Sequence, residues 1–225
     1  MKTLHAAQSR RKAFTLIELL VVIAIISILM ALLFPAINGA KLAAQKTQAR
    51  SDITGIVTAV KHYYADYGKY PVIPTGGNTV TTTDVGYGTS IKQKTNADLF
   101  MVLRAIASGG NAADVMNPRK VVYFEGSDVK NVSDPRGGFI PITGSGTSTI
   151  AEGALVDPWG YEYAILMDGN YDNILQLTAA MTTPYTDTNK KDPRVGAAGI
   201  SVGKDGGLGT KGNNTFLNSD DIISW

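Results

Sequence analysis

Residues 10–37 read RRKAFTLIELLVVIAIISILMALLFPAI, and the rest of the chain has to be arranged around them. A basic cluster (Arg10, Arg11, Lys12) leads straight into an apolar segment that reaches Ile37. Glu18 is its single acid. Residues 19–34 carry no charge, and Ser27 is their only polar side chain. As a helix, residues 14–37 would rise about 36 Å, enough to cross a hydrocarbon core of about 30 Å. A cleaved secretory signal has a shorter apolar region and a small-x-small cleavage site, and Asn38-Gly39-Ala40 is a poor candidate for one. A buried core helix would not need the basic flank. A plain single-span anchor leaves Glu18 without a partner, and an ionised carboxylate in hydrocarbon costs about 3 kcal/mol even on the milder scale.

Cutting the chain just before Phe14 would supply that partner. The new α-amino group would lie within about one helical turn of Glu18, or near the Glu18 of a neighbouring copy. A pair shielded from water there would neutralise both charges and set the register between subunits. The segment Ala13-Phe14-Thr15-Leu16-Ile17-Glu18 resembles the prepilin-peptidase site of type IV pilins and type II secretion pseudopilins. The resemblance implies cleavage after Ala13, N-methylation of Phe14 and assembly of the apolar helices into a filament core. It places Glu18 at the family's acidic position and Pro35 at its helix-kinking proline. Ala13 departs from the glycine usual before the cut.

The formal charge of +2 changes meaning with that cut. Lys2, Arg10, Arg11 and Lys12 all precede it, and without them the basic residues number two fewer than the 19 acids. No basic stripe is visible on the remainder, which argues against nucleic acid as a partner. The basic leader reads instead as a positive-inside signal that places the globular part across the membrane. There is no cysteine, so no disulfide can close the C-terminal region. A metal is the obvious substitute.

Beyond Pro35 the helical pattern continues but turns amphipathic. Ile53, Ile56, Val57, Val60, Tyr64 and Tyr67 form one stripe, ready to pack on a sheet. Gly68 reads as a C-terminal cap, and Pro71 forbids continuation. The helix would thus run from Phe14 to about Tyr67. His62 lies off the stripe, and the only other histidine is His5 in the leader, so His-based catalysis or zinc binding is close to excluded. The tyrosines around Tyr63 and Tyr70 read as core packing with hydroxyls at the edge. Residues 72–95 form a surface loop with room for a short strand, and 134–153 a second long insertion. Between them, Leu99, Val102, Leu103 and Ile106 mark a short helix with Asn96 or Asp98 at its start and Gly109 at its end. Residues 121–124 and 161–167 read as strands. Asp168 to Asn173 then reads as a turn bringing the chain back as a strand over 174–177.

Two acidic clusters compete for a metal. Asp168, Asn170 and Asp172 have the D-x-N-x-D opening of a calcium loop. The sixth position is Asn173 rather than Gly and the twelfth Ala179 rather than Glu, so a hairpin turn is the better reading. The second cluster lies in the tail, where Asp205 precedes Gly206 and Gly207, and Asp220 and Asp221 stand side by side. Composition alone leaves a solvated turn and a cation site equally open.

The tail, with Gly203-Lys204-Asp205-Gly206 followed by Asp221-Ile222-x-x-Trp225, looks like the calcium-binding loop of the type II secretion major pseudopilins. Asp157-Pro158-Trp159-Gly160 followed by Tyr163 resembles that family's turn, with Trp159 and Tyr163 as packing residues. The resemblance, covering about half the chain, implies calcium held by the carbonyl of Val202 and by Asp205, Asp220 and Asp221. The extra residues 211–217 leave the ligands between Gly209 and Asp220 open.

The implied protein is an α+β, pilin-like chain: a cleaved leader (1–13), a transmembrane or filament-core helix (14–37) and a periplasmic globular domain (38–225). The amphipathic half of its helix would pack on a small antiparallel sheet. Its implied role is structural, a homopolymer in an inner-membrane-rooted pseudopilus that drives protein export. Prepilin peptidase, minor pseudopilins and an inner-membrane assembly platform would be its partners. The rivals are a type IV pilus subunit, which would normally carry a C-terminal disulfide, and a membrane-anchored periplasmic binding module or enzyme. No nucleophile–base pair supports an enzyme.

Overall fold

The computed structural model describes residues 15–73, 83–89, 94–144, 149–177, 192–209 and 219–225. The Ala13–Phe14 junction and residues 211–217 lie outside these.

Helix α1 spans Leu16–Tyr67. Its start is fixed by a reciprocal capping box, in which Glu18 N donates to Thr15 Oγ1 at 3.2 Å. In return Thr15 N and Oγ1 donate to Glu18 Oε2 at 2.9 and 2.7 Å. Pro35 lies inside the helix without ending it. Gly68 caps the far end in a left-handed conformation (φ 68°), its N–H donating to the Tyr64 carbonyl at 2.8 Å.

The chain divides into two compact units, one ending at Ala44 and the other beginning at Gln45. In the first, every described side chain is exposed. In the second, α1 buries Ala49, Ile53, Ile56, Ala59, Val60 and Tyr63. The expected stripe therefore holds to Val60 and then shifts: Tyr63 is buried and Tyr64 is 39% exposed. The Tyr63 hydroxyl has a buried acceptor in the Met116 carbonyl at 2.6 Å, whereas Tyr64 stacks on Tyr70 with centroids 4.6 Å apart.

Four short antiparallel strands form the sheet, in the order β1 (Val85–Tyr87), β4 (Ala164–Met167), β5 (Ala197–Ser201), β6 (Ile222–Ile223). Tyr87, Ile165, Met167, Ala197 and Ile222 share a core with α1. Ala164, Leu166, Ala198 and Ile200 face the other way, against Leu175, Leu177, Val202 and Leu208. Both faces are covered, so β4 reads as an unbroken apolar run and not as an alternation. Gly199 sets the helix-to-sheet spacing, because a Cβ there would lie 2.9 Å from Ile53 Cγ2. This is the α+β arrangement expected of a pilin-like chain: a long helix whose later part packs on a small antiparallel sheet.

Other expectations need correction. Residues 174–177 do not return as a strand, because β1 and β5 already occupy both edges of β4. Leu175 and Leu177 instead cover the outer face of the sheet. The stretch 134–153 is not simply surface, since it contains β2 (Gly138–Phe139), which pairs with β3 (Leu155–Val156) and buries Phe139 and Ile140. Residues 121–124 are extended but unpaired as a strand; Tyr123 N and Phe124 N both donate to the Leu103 carbonyl.

Helix α2 (Ala97–Leu103) begins after Asn96, whose side chain makes no cap. The Asn96 side chain is instead buried and bridges β3 to the entry of β4, its Nδ2 donating to the Leu155 and Tyr163 carbonyls and its Oδ1 accepting from Leu155 N.

Candidate functional site

The first unit presents an unaccompanied apolar helix. Leu29 is 60% exposed and Phe34 63%, and α1 is long and apolar enough, by length and composition, to cross a membrane. Ser27, the only polar side chain of the run, donates to the Ile23 carbonyl at 2.7 Å, which removes its cost in an apolar setting. The capping box gives Glu18 an intrachain role the sequence reading passed over, although Thr15-x-x-Glu18 is written in the chain. Both bonds from Thr15 end on one oxygen, Oε2. Ala13 and Phe14 lie outside the described residues.

The second candidate is the C-terminal loop between β5 and β6. It is shaped by left-handed glycines, among them Gly203 (φ 70°), where a Cβ would fall 2.7 Å from the carbonyl oxygen and carboxylate of Asp220. Val202 is buried just before it. Asp220 Oδ2 accepts from Lys204 N at 2.6 Å and Asp205 N at 3.2 Å. Asp205 Oδ1 accepts from Gly207 N at 2.9 Å, and Asp221 Oδ2 from Gly209 N at 2.5 Å.

The structure thus brings Asp205, Asp220 and Asp221 into one loop with Val202 at its root. Burial pushes the Asp221 carboxyl up to about 6, and the Asp220 and Asp205 charges add to the shift against its hydrogen bonds. Asp221 Oδ1 is buried without a hydrogen-bond partner. An all-oxygen set with one orphaned buried oxygen suits a hard cation such as calcium. No three acidic or histidine side chains among the described residues meet around one point. A cation here would therefore draw on carbonyl oxygens as well as carboxylates.

Behind the loop stands the Asp157-Pro158-Trp159-Gly160 turn. Asp157 is fully buried; its Oδ1 accepts from Trp159 N, Gly160 N and Tyr161 N, and its Oδ2 from Ser201 Oγ at 2.7 Å. Ser201 is the last residue of β5, so this bond ties the turn to the root of the acidic loop. Trp159 and Tyr163 are buried packing residues, as expected, and Tyr163 also donates its hydroxyl to Asp52 at 2.8 Å. His62 is exposed.

Residues 8–34 match the model of the prokaryotic N-terminal methylation motif. The chain carries that motif. Among curated proteins it is similar to the type II secretion system core protein G of Dickeya chrysanthemi, 34% identical over 88 residues, which cover 39% of this chain and 51% of the relative. The core protein G of Escherichia coli K12 is 39% identical over 70 residues, covering 31% and 48%. A fimbrial protein of Neisseria meningitidis serogroup A is 39% identical over 75 residues, covering 33% and 44%. The chain spans about half the length of the curated relatives it matches. No solved structure matches it.

Proposed function

We propose that this chain is a structural subunit of a type II secretion pseudopilus, cut after Ala13 by prepilin peptidase, methylated at Phe14 and polymerised through α1. The observation that carries the reading is the apolar half of α1, exposed at every described residue and attached to a unit with its own closed core. A globular unit that already has a core has no use for this surface, whereas neighbouring copies or lipid would cover it. The methylation motif lies on that same segment.

In the filament, the new amine of Phe14 would pair with Glu18 of its own or a neighbouring copy, and Pro35 would let the helix bend within the core. Calcium held by Val202, Asp205, Asp220 and Asp221 would stiffen the loop that a disulfide would otherwise close. Prepilin peptidase, minor pseudopilins and the inner-membrane assembly platform are the partners this role requires. The unit beginning at Gln45 would lie in the periplasm. The role is structural rather than enzymatic.

Similarity to fimbrial protein supports a second reading, a type IV pilus subunit. Both readings rest on polymerisation through α1, and one experiment tests that shared step. Glu18→Gln is expected to abolish filaments in shearing and electron-microscopy assays while membrane fractionation of the chain stays unchanged. Normal filaments from Glu18→Gln would overturn the pairing and leave Glu18 as a helix cap.

A further inference from the structure

The D-x-N-x-D segment, which the sequence favours as a hairpin turn, meets a third acid from far away in the chain. In the β1–β4 ladder Val85 lies opposite Met167. One step further along, the same register sets Asp84 opposite Asp168. Both are buried, at 3% and 1% exposure. Like charges facing each other across a ladder are destabilising at a surface, and more so out of water. The two ion pairs among the described residues, Lys120–Asp114 and Arg136–Asp134, involve neither acid.

The hydrogen bonds leave one oxygen without a partner. Asp84 Oδ1 accepts from Gly169 N at 3.2 Å, and its Oδ2 accepts from Gln176 N. Asp168 Oδ2 accepts from Asn173 N at 2.8 Å. Asp168 Oδ1 is buried and has no hydrogen-bond partner. Asp172 is turned to its own loop, accepting from Ile174 N and the Asn170 amide, but it adds a third negative charge at the rim. Burial pushes the Asp84 carboxyl up, and the Asp168 and Asp172 charges add to it against the bonds from Gln176 and Gly169. A shared proton is the other way to relieve the pair, and it would leave no calcium bound in the experiment below.

We propose that Asp84 and Asp168, with neutral oxygens of the loop that follows β4, bind a calcium ion at a second site, separate from the C-terminal loop. The donors are all oxygen, and irregular loop geometry suits calcium better than magnesium, which demands an octahedron and keeps its water. The missing Gly and Glu of the linear calcium-loop pattern do not count against this site, because Asp84 supplies from β1 a carboxylate that the linear pattern cannot contain. The proposal stands whether the chain builds a pseudopilus or a pilus.

The test uses the full chain in detergent micelles with Asp205, Asp220 and Asp221 all changed to Asn, which silences the C-terminal loop. Equilibrium dialysis is expected to find one calcium per chain still bound, and to find none once Asp168→Asn is added. Terbium gives a second readout. The Tyr70 hydroxyl lies against Gly196, whose carbonyl accepts from Asp168 N at 3.0 Å, so its ring is close enough to sensitise terbium luminescence. Changing both Tyr70 and Tyr171, which stack at 5.7 Å, to Phe should dim that emission several-fold without reducing calcium binding. No calcium bound up to about 1 mM in the folded triple variant, at the weak end of extracellular sites, would overturn the proposal. So would a bound calcium indifferent to Asp168→Asn. If Asp168→Asn does not fold, absence of tyrosine-sensitised terbium emission in the folded triple variant would overturn it alone.

Discussion

Glu162 shows how a polar residue can be central to the fold and carry no signal in the sequence. It is 2% exposed, and its carboxylate accepts from Asn96 N at 2.9 Å, from Thr95 Oγ1 at 3.1 Å and from Thr89 N at 3.4 Å. Burial pushes its carboxyl above the ordinary carboxylate value, against those bonds. A raised carboxyl contributes stability that is fully present below its unfolded value, about 4.3, and is lost as pH rises through the folded one. Glu162→Gln lacks this titration, so its stability relative to the native chain should improve between pH 4.5 and pH 7 in urea unfolding. A constant gap would show that folding does not shift the carboxyl, and a widening one would reverse the sign of the shift. Asn96 read as one possible start of a short helix and Glu162 as one position of a strand over 161–167; the partners they find lie 59 to 67 residues away, and no local pattern encodes such a pairing. Thr15 and Glu18 are the opposite case, since their box spans four residues and is plain in the sequence.

At the scale of elements, what is local was legible and what is assembled was not. Helix α1 and its Gly68 stop follow from spacing and one glycine, both local signals. That β4 pairs with β5 and not with 174–177 depends on a strand some 30 residues later, which periodicity cannot choose. The C-terminal loop was legible in its acids, while its link to Asp157 through Ser201 was not. Two glycines there behave differently. A Cβ at Gly203 meets Asp220 in a left-handed backbone, whereas at Gly207 the nearest atom is Asp205 Oδ1 at 3.7 Å. Calcium bound only by the folded chain should raise its melting temperature by the usual linkage. With Asp168 changed to Asn in every chain compared, Gly203→Ala should lose most of that rise and about 1 kcal/mol of stability, and Gly207→Ala should keep the rise. Equal calcium responses in scanning calorimetry would detach the loop from the metal.

For the whole molecule, one feature divides the chain: an exposed apolar helix on one side of Ala44 and a closed core on the other. Leu29 sits near the middle of the apolar run. Leu29→Arg should cost about 3 kcal/mol of membrane insertion and move the chain from the carbonate-resistant to the extractable fraction. Its globular unit should keep the native melting temperature, because no core residue is touched. Retention in the membrane by Leu29→Arg would locate the anchor elsewhere.

Strand β6 is held by two register pairs, Ile200 with Ile223 and Ser201 with Ile222, and by Ser224, which bonds to Gly199 through both N and Oγ. Among the described residues it is the last strand of the sheet and the one paired on that side of β5. The loop ahead of it therefore works as a latch on a sheet edge. If the loop is released, β5 offers a row of bare amides and carbonyls to any passing strand, the usual start of edge-to-edge aggregation. In the filament proposed above, where subunits join through α1, keeping that edge shut would prevent polymers of the wrong kind.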